Sequence, residues 1–324
     1  MSKHEPSLPD LGALEAAAAR VHRVFQTPQY CWPLLSERCG AEIWVKHENH
    51  TPTGAFKVRG GLVYMERLRE AEPGTRGVIS ATTGNHGQSL AFAARRVGLL
   101  PVIVAPEGNS PDKNAAMRAF GAELIEHGSD FEAAVEHARE LGRERGLHFV
   151  VSYHPWLVQG VGTYSLELLR ALPELDMVYV PVGLGSGICG MMAARDALRR
   201  KTRIVGVVSE KANCYALSFE QGRPVSTNSS DTFAGGLAVR EPNEEALEVI
   251  LKGVERIVAV SDEALFAAMG HYFTDSHNVA EGAGAAALAA VLREPDAIAG
   301  KKVGVILSGG NIDAALYAKA LENA

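Results

Sequence analysis

Short β-branched runs alternate with stretches of helical periodicity along the whole 324-residue chain, and this alternation leaves few folds open. Strands are expected at 43–47, 77–80, 101–105, 122–125, 148–151, 177–182, 203–208, 256–260 and 302–307. Several of these runs, such as MVYVPV at 177–182, lack polar alternation, as strands covered on both faces do. Helical spacing fills intervals at 86–98, 131–145, 188–200 and 311–321. The pattern predicts an α/β protein with two open, mostly parallel sheets and helices on both faces. One such core does not absorb a chain of this length, so two domains are expected. Residues 1–75 and 151–324 form the larger, and 76–150 a smaller one inserted in it.

The totals exclude several classes of function. Hydrophobic residues make up 47% of the chain, enough for extensive cores, and the net charge is −6. A diffuse acidic balance argues against a nucleic-acid partner or an anionic membrane. The basic run RRK at 199–201 reads as a solvated helix end. No apolar run is long enough to span a bilayer, and MSKHEPSLPDLG at the start has no signal-peptide core. Cys31, Cys39, Cys189 and Cys214 form no CxxC pair and suit no zinc site. They read as reduced thiols of a cytoplasmic protein.

Open parallel sheets bind ligands beyond the carboxyl ends of their strands. Three expected strand–helix junctions are glycine-rich: ATTGNHGQ at 81–88, GLGSGICG at 183–190 and SGGN at 308–311. A helix start exposes unpaired N–H groups and favours an anion. Residues 183–187 offer backbone and one hydroxyl, which suits a phosphate. Residues 82–86 offer Thr82, Thr83, Asn85 and His86, which suits a carboxylate. The middle junction also fits a dinucleotide fingerprint: Gly185, Gly187 and Gly190, with Glu210 twenty residues on. On that stretch alone a nicotinamide-dependent dehydrogenase stays open. Elsewhere, KHENHTPTGAFKVRG at 46–60 places Lys57 at the start of a helix running to about 71, after a tight Gly-Ala-Phe turn. A lysine amine so placed can form a Schiff base with an aldehyde cofactor.

TGAFKVRGG, TTGNHGQ, the glycine bend at 183–187, EGAGAA at 281–286 and SGGN occur in that order. Together they resemble the fold type II pyridoxal 5′-phosphate enzymes, in the branch of the serine/threonine dehydratases and serine racemase. The resemblance covers about residues 20–320 and implies a tryptophan synthase β-like fold. It implies that Lys57 bonds the cofactor aldehyde and then acts as base at Cα, with Phe56 flanking the cofactor ring. Asn85 would bond the ring hydroxyl, and Ser308 would face the pyridine nitrogen. Gly183, Leu184, Gly185, Ser186 and Gly187 would wrap the phosphate. Thr82, Thr83, Asn85 and His86 would meet the substrate carboxylate.

A hydroxyl opposite the pyridine nitrogen makes the ring a weaker electron sink than a carboxylate does, and so favours β-elimination over transamination. The activity implied is loss of water and ammonia from a β-hydroxy amino acid of the threonine/serine type. 3-Hydroxyaspartate and 3-phenylserine are the alternatives, and a non-catalytic amino-acid sensor is a further one. The resemblance also implies a homodimer.

Several positions depart from the family pattern. Thr83 stands where racemases have a serine acting as second base, and Leu184 and Ser186 replace loop glycines. Gly206-Val207-Val208-Ser209 lacks the glutamate that binds a metal in many members, so no metal is expected, though Glu210 lies nearby. Gly235 stands where relatives often have an acidic residue, and SYHPW at 152–156 is unusual near the expected substrate side chain. His271 and His277, whose spacing of six does not share a helical face, read as structural or surface residues rather than a metal pair, and Trp156 as a partly buried core indole with a pocket-lining role as the alternative. Glu281 reads either as a helix-start carboxylate or as a neighbour of the cofactor ring. The chain ends soon after SGGN, so no C-terminal regulatory domain is expected.

Overall fold

The computed structural model describes residues 8–322. Ten strands form two sheets among these residues. They are β1 (Gln29–Cys31), β2 (Glu42–His47), β3 (Gly77–Ala81), β4 (Leu100–Ala105), β5 (Glu123–Glu126), β6 (His148–Phe149), β7 (Met177–Pro181), β8 (Arg203–Ser209), β9 (Arg256–Val260) and β10 (Lys302–Leu307). The six-stranded sheet has the order β1-β2-β10-β7-β8-β9, and the four-stranded sheet β5-β4-β3-β6. Only the β1–β2 pair is antiparallel.

The runs without polar alternation are the central strands. All five residues of β3 are buried, as are five of six in β10. Helices cover both faces. Ala283–Val291 of the Gly282–Arg293 helix packs into the core with Val303, Val305 and Leu307, and small side chains let it lie close. On the other face, the Pro155–Ala171 and Ser186–Ala197 helices bury Val178, Val180 and Ile306.

The differences from expectation are local. β1 is a half-exposed, three-residue edge strand, too short to show a period. The 148–151 strand pairs as β6 only at His148 and Phe149, although Val150 N–H still reaches the Ile79 carbonyl. The helix expected at 188–200 spans Ser186–Ala197, because Arg199 turns left-handed (φ 53°) and ends it. The last helix begins at Ala314.

Candidate active site

The three glycine-rich junctions follow the carboxyl ends of β3, β7 and β10. After β7, Gly185 caps the Ser186–Ala197 helix at φ 97°, a backbone that side-chain-bearing residues rarely adopt. Ala246 Cβ would lie 2.5 Å from a Cβ placed there. At Gly183 a Cβ would collide with the Gly236 carbonyl. Positions 183 and 185 therefore have no room for a side chain. The first intrahelical bond runs from Cys189 N–H to Gly185 O (3.0 Å), which leaves the preceding N–H groups at the helix mouth without intrahelical partners. The Leu184 and Gly187 carbonyls are turned away and accept from the Tyr215 and Tyr164 hydroxyls.

Lys57 begins the Lys57–Ala71 helix, capped by Phe56. Phe56 N–H donates to Ser308 O (3.0 Å), and Ala55 bridges Gly309, so the loop before Lys57 is stitched to the end of β10. That stitching points the amine across the site. Lys57 Nζ lies 3.4 Å from Ser186 Oγ and 5.2 Å from the centre of the Phe56 ring. No carboxylate pairs with it among the described residues, and burial lowers its pKa to about 8. Near neutral pH a useful fraction is therefore the free amine, the nucleophilic form.

After β3, Asn85 opens the Asn85–Arg96 helix. Its Nδ2 donates to Glu281 Oε1 (2.7 Å), and its Oδ1 accepts from Asn311 Nδ2 (2.8 Å), which also donates to Thr53 O. The amide is thereby held from two sides, with one Nδ2 hydrogen left over. Glu281 is 8% exposed, and burial pushes its carboxyl up to about 7, only partly offset by Lys113 and Asn85. It starts the Gly282–Arg293 helix but makes no side-chain capping bond, so both readings of this residue meet here in one position. His86 is buried with Nε2 unpartnered, and burial together with the nearby Lys57 ammonium lowers its pKa to about 3. It is a neutral imidazole. Thr82 is buried and accepts from Gly84 N–H, whereas Thr83 is exposed. Ser308 is buried, and its hydroxyl has no protein partner among the described residues.

This donor set fits one group. An amine without a counter-ion suits an aldehyde, and a row of free N–H groups beside it suits a phosphate dianion. The unpartnered Ser308 hydroxyl and the spare Asn85 hydrogen suit ring polar atoms. Pyridoxal 5′-phosphate carries all of these.

Three residues were given no role from the sequence, although Tyr153 and Asn311 lie within the SYHPW and SGGN stretches singled out there. Arg59, two residues beyond Lys57, is wholly buried. Its Nε donates to Glu48 Oε2 (2.7 Å), and its Nη1 donates to Glu167 Oε1 (2.7 Å) and Thr163 Oγ1 (2.9 Å). Lys46 Nζ reaches the same Glu167 at 2.6 Å. Burial opposes the charge on Glu167, but Arg59 and Lys46 outweigh it and hold the carboxyl at about 2. A charged side chain within the apolar pattern of the Lys57–Ala71 helix was the available signal. The second feature is Asn311, the last residue of SGGN, which locks Asn85. The third is Tyr153, whose hydroxyl lies 3.6 Å from Cys189 Sγ, one turn beyond Ser186.

The dinucleotide reading loses its parts. The Glu210 carboxylate is paired with Arg293 (2.7 Å) instead of facing the loop. Gly190 serves a helix crossing, since a Cβ there would lie 2.8 Å from Gly162 N in the Pro155–Ala171 helix. His277 accepts a left-handed helix-ending position (φ 52°) and bonds the Phe273 carbonyl. Trp156 stacks edge-on with Tyr64 and His154 and lies under Arg67.

Two mostly parallel sheets with a lysine amine facing the mouth of the Ser186–Ala197 helix fit a pyridoxal-phosphate enzyme of the two-sheet type, and the chain belongs to that family: the model described as "Pyridoxal-phosphate dependent enzyme" matches residues 22–309. The chain is 37% identical to the L-threonine ammonia-lyase of Thermotoga maritima, over 86% of this chain and 70% of that protein. It is 34% identical to the L-threo-3-hydroxyaspartate ammonia-lyase of Saccharomyces cerevisiae, over 96% of each. It spans 62% of the length of the biosynthetic L-threonine dehydratase of Haemophilus influenzae. Among solved structures, maize serine racemase superposes with a TM-score of 0.90 at 27% identity, covering 98% of both chains.

Proposed function

We propose that the chain is a pyridoxal-phosphate-dependent ammonia-lyase that removes water from a small β-hydroxy-L-amino acid of the threonine/serine type. The products are a 2-oxo acid and ammonia. The observation that carries this reading is the 3.4 Å approach of Lys57 Nζ to Ser186 Oγ at the mouth of the phosphate cradle. The T. maritima relative, named for threonine, supports the substrate class.

The cofactor, when bound, draws electrons from the amino acid's Cα and so makes its proton acidic. Lys57 anchors the cofactor and, with its pKa near 8, takes the Cα proton at Nζ. The N–H groups at Gly183–Gly187 hold the phosphate, and Phe56 flanks the ring. Asn85, fixed by Glu281 and Asn311, gives its spare Nδ2 hydrogen to the ring hydroxyl. Ser308 would offer the ring nitrogen a hydroxyl rather than a carboxylate, an environment that suits elimination better than transamination. The turn of Thr82, Thr83, Asn85 and His86 receives the substrate carboxylate, and neutral His86 bonds it without competing charge. Residues 76–150 act as the smaller domain that carries this turn and excludes water when substrate binds. Within this reading the protein is a cytoplasmic homodimer. The absence of disulfides among its four cysteines supports the compartment. Among the described residues no helix is long and apolar enough to cross a membrane.

One other substrate has a specific observation behind it. The yeast relative that matches over nearly its full length is named for 3-hydroxyaspartate. A panel of L-threonine, L-serine, L-threo-3-hydroxyaspartate and 3-phenylserine, scored by 2-oxo acid and ammonia release, decides between them. Ammonia release from none of the four would overturn the proposal.

A further inference from the structure

We infer that the chain carries a second anion site, distant from Lys57, at the far end of the helix that holds the cofactor phosphate. The Ser186–Ala197 helix starts at the cradle and ends 12 residues later, about 18 Å away. Beyond it, Arg199 N–H bonds Asp196 O (3.0 Å) and Arg200 N–H bonds Arg195 O (2.9 Å), a helix-ending turn made without glycine. This turn folds residues 200–203 back beside the helix end and the start of β8. An open surface depression of about 470 Å³ lies there.

Four cations line that depression: Arg195, Arg200, Lys201 and Arg203. Two of them have acidic partners. Arg195 bonds Asp196 (2.7 Å), and Arg203 approaches Glu255 at 3.4 Å. Arg200 and Lys201 have no ion pair among the described residues. Two polar atoms of lining residues are buried and unpartnered, Arg200 Nε and Thr202 Oγ1, and Thr202 is only 3% exposed. Buried donors without partners are costly and uncommon in folded proteins. The lining holds four cations against two carboxylates, Asp196 and Glu255, and in a chain of net charge −6 the unpaired Arg200 and Lys201 beside the unsatisfied Thr202 hydroxyl suit an anion. Arg200 and Lys201 of the basic run thus line a concave site, while Arg199 stays a solvated residue at the helix end. The cationic lining makes the ligand class a small phosphate-bearing molecule or another multivalent oxyanion.

The test uses holoenzyme, in which the 183–187 cradle is filled, titrated with pyrophosphate by calorimetry. One-to-one binding with Kd below about 1 mM is expected. Arg200→Gln with Lys201→Gln should weaken it at least tenfold, and Thr202→Val several-fold, while the holoenzyme spectrum and melting temperature stay close to wild type. Removing two exposed charges elsewhere, Arg118→Gln with Arg145→Gln, should leave it unchanged. Absence of saturable binding, or equal weakening by the distant pair, would overturn the inference. An inactive protein that still binds pyrophosphate here would sink only the function proposed for Lys57.

Discussion

The amine of Lys57 and the hydroxyl of Ser186 lie 3.4 Å apart although 129 residues separate them. Two independent pieces of the fold create this contact. The Ala55–Gly309 bridge fixes the start of the lysine's helix to the end of β10. Parallel pairing of β10 with β7 then places the β7 junction alongside.

Replacing Lys57 by Ala should abolish ammonia release, by about 10³-fold or more. The yellow colour of covalently held cofactor should disappear on gel filtration, while the fold, followed by circular dichroism, remains. Activity retained in a colourless variant would refute the assignment.

Attachment of pyridoxal phosphate to the cofactor-free protein should depend on pH as a lysine of pKa about 8 requires. Only the neutral amine attacks, so the rate should rise about tenfold per pH unit and level off above 8. An unperturbed lysine would go on rising toward 10.5. Stopped-flow absorbance distinguishes the two profiles.

Glu281 should make the cofactor-free protein less stable as pH rises. Its folded pKa of about 7 lies above the 4.5 of an ordinary glutamate. Its contribution is therefore complete below pH 4.5 and lost as pH climbs through 7. Denaturant titrations should show Glu281→Gln gaining up to about 3 kcal/mol on wild type across that window. A difference independent of pH would mean the carboxyl titrates normally.

Gly185→Ala should weaken cofactor retention about tenfold, since φ 97° and the close Ala246 methyl together force the cradle to shift. Equilibrium dialysis measures this directly. Gly222 has positive φ with open space around it, so Gly222→Ala serves as the control for backbone strain alone.

Arg59→Met should cost about 3–5 kcal/mol, because it leaves the buried Glu48 carboxylate with the Thr27 hydroxyl but no directly paired cation, and removes part of the pairing of Glu167. Adding Glu48→Gln to that variant should recover part of the loss. A double variant no more stable than the single would argue against a charge-pairing role for Glu48.

Much of the architecture was legible because buried parallel strands need unbroken apolar runs. β3, β7 and β10 therefore announce themselves, as do the glycine junctions that follow them. β1 was not legible: three half-exposed residues carry no period, and only pairing with β2 makes them a strand. The end of the Ser186–Ala197 helix was misplaced by three residues because Arg199 adopts a conformation that sequence reasoning reserves for glycine. Within the site, Lys57 and the 183–187 loop stood out by local chemistry. Asn311 did not, since its role is to grip Asn85, 226 positions away.

By itself the sequence singled out which residues to propose for the chemistry, because a lysine after a tight turn and glycines at helix starts are local patterns. Only the tertiary structure decided what surrounds them. It buried Lys57 so that its proton loosens, raised Glu281 toward neutrality, and set Arg200 and Lys201 beside the buried Thr202. Burial and charge pairing depend on contacts between distant segments, and no local pattern encodes those.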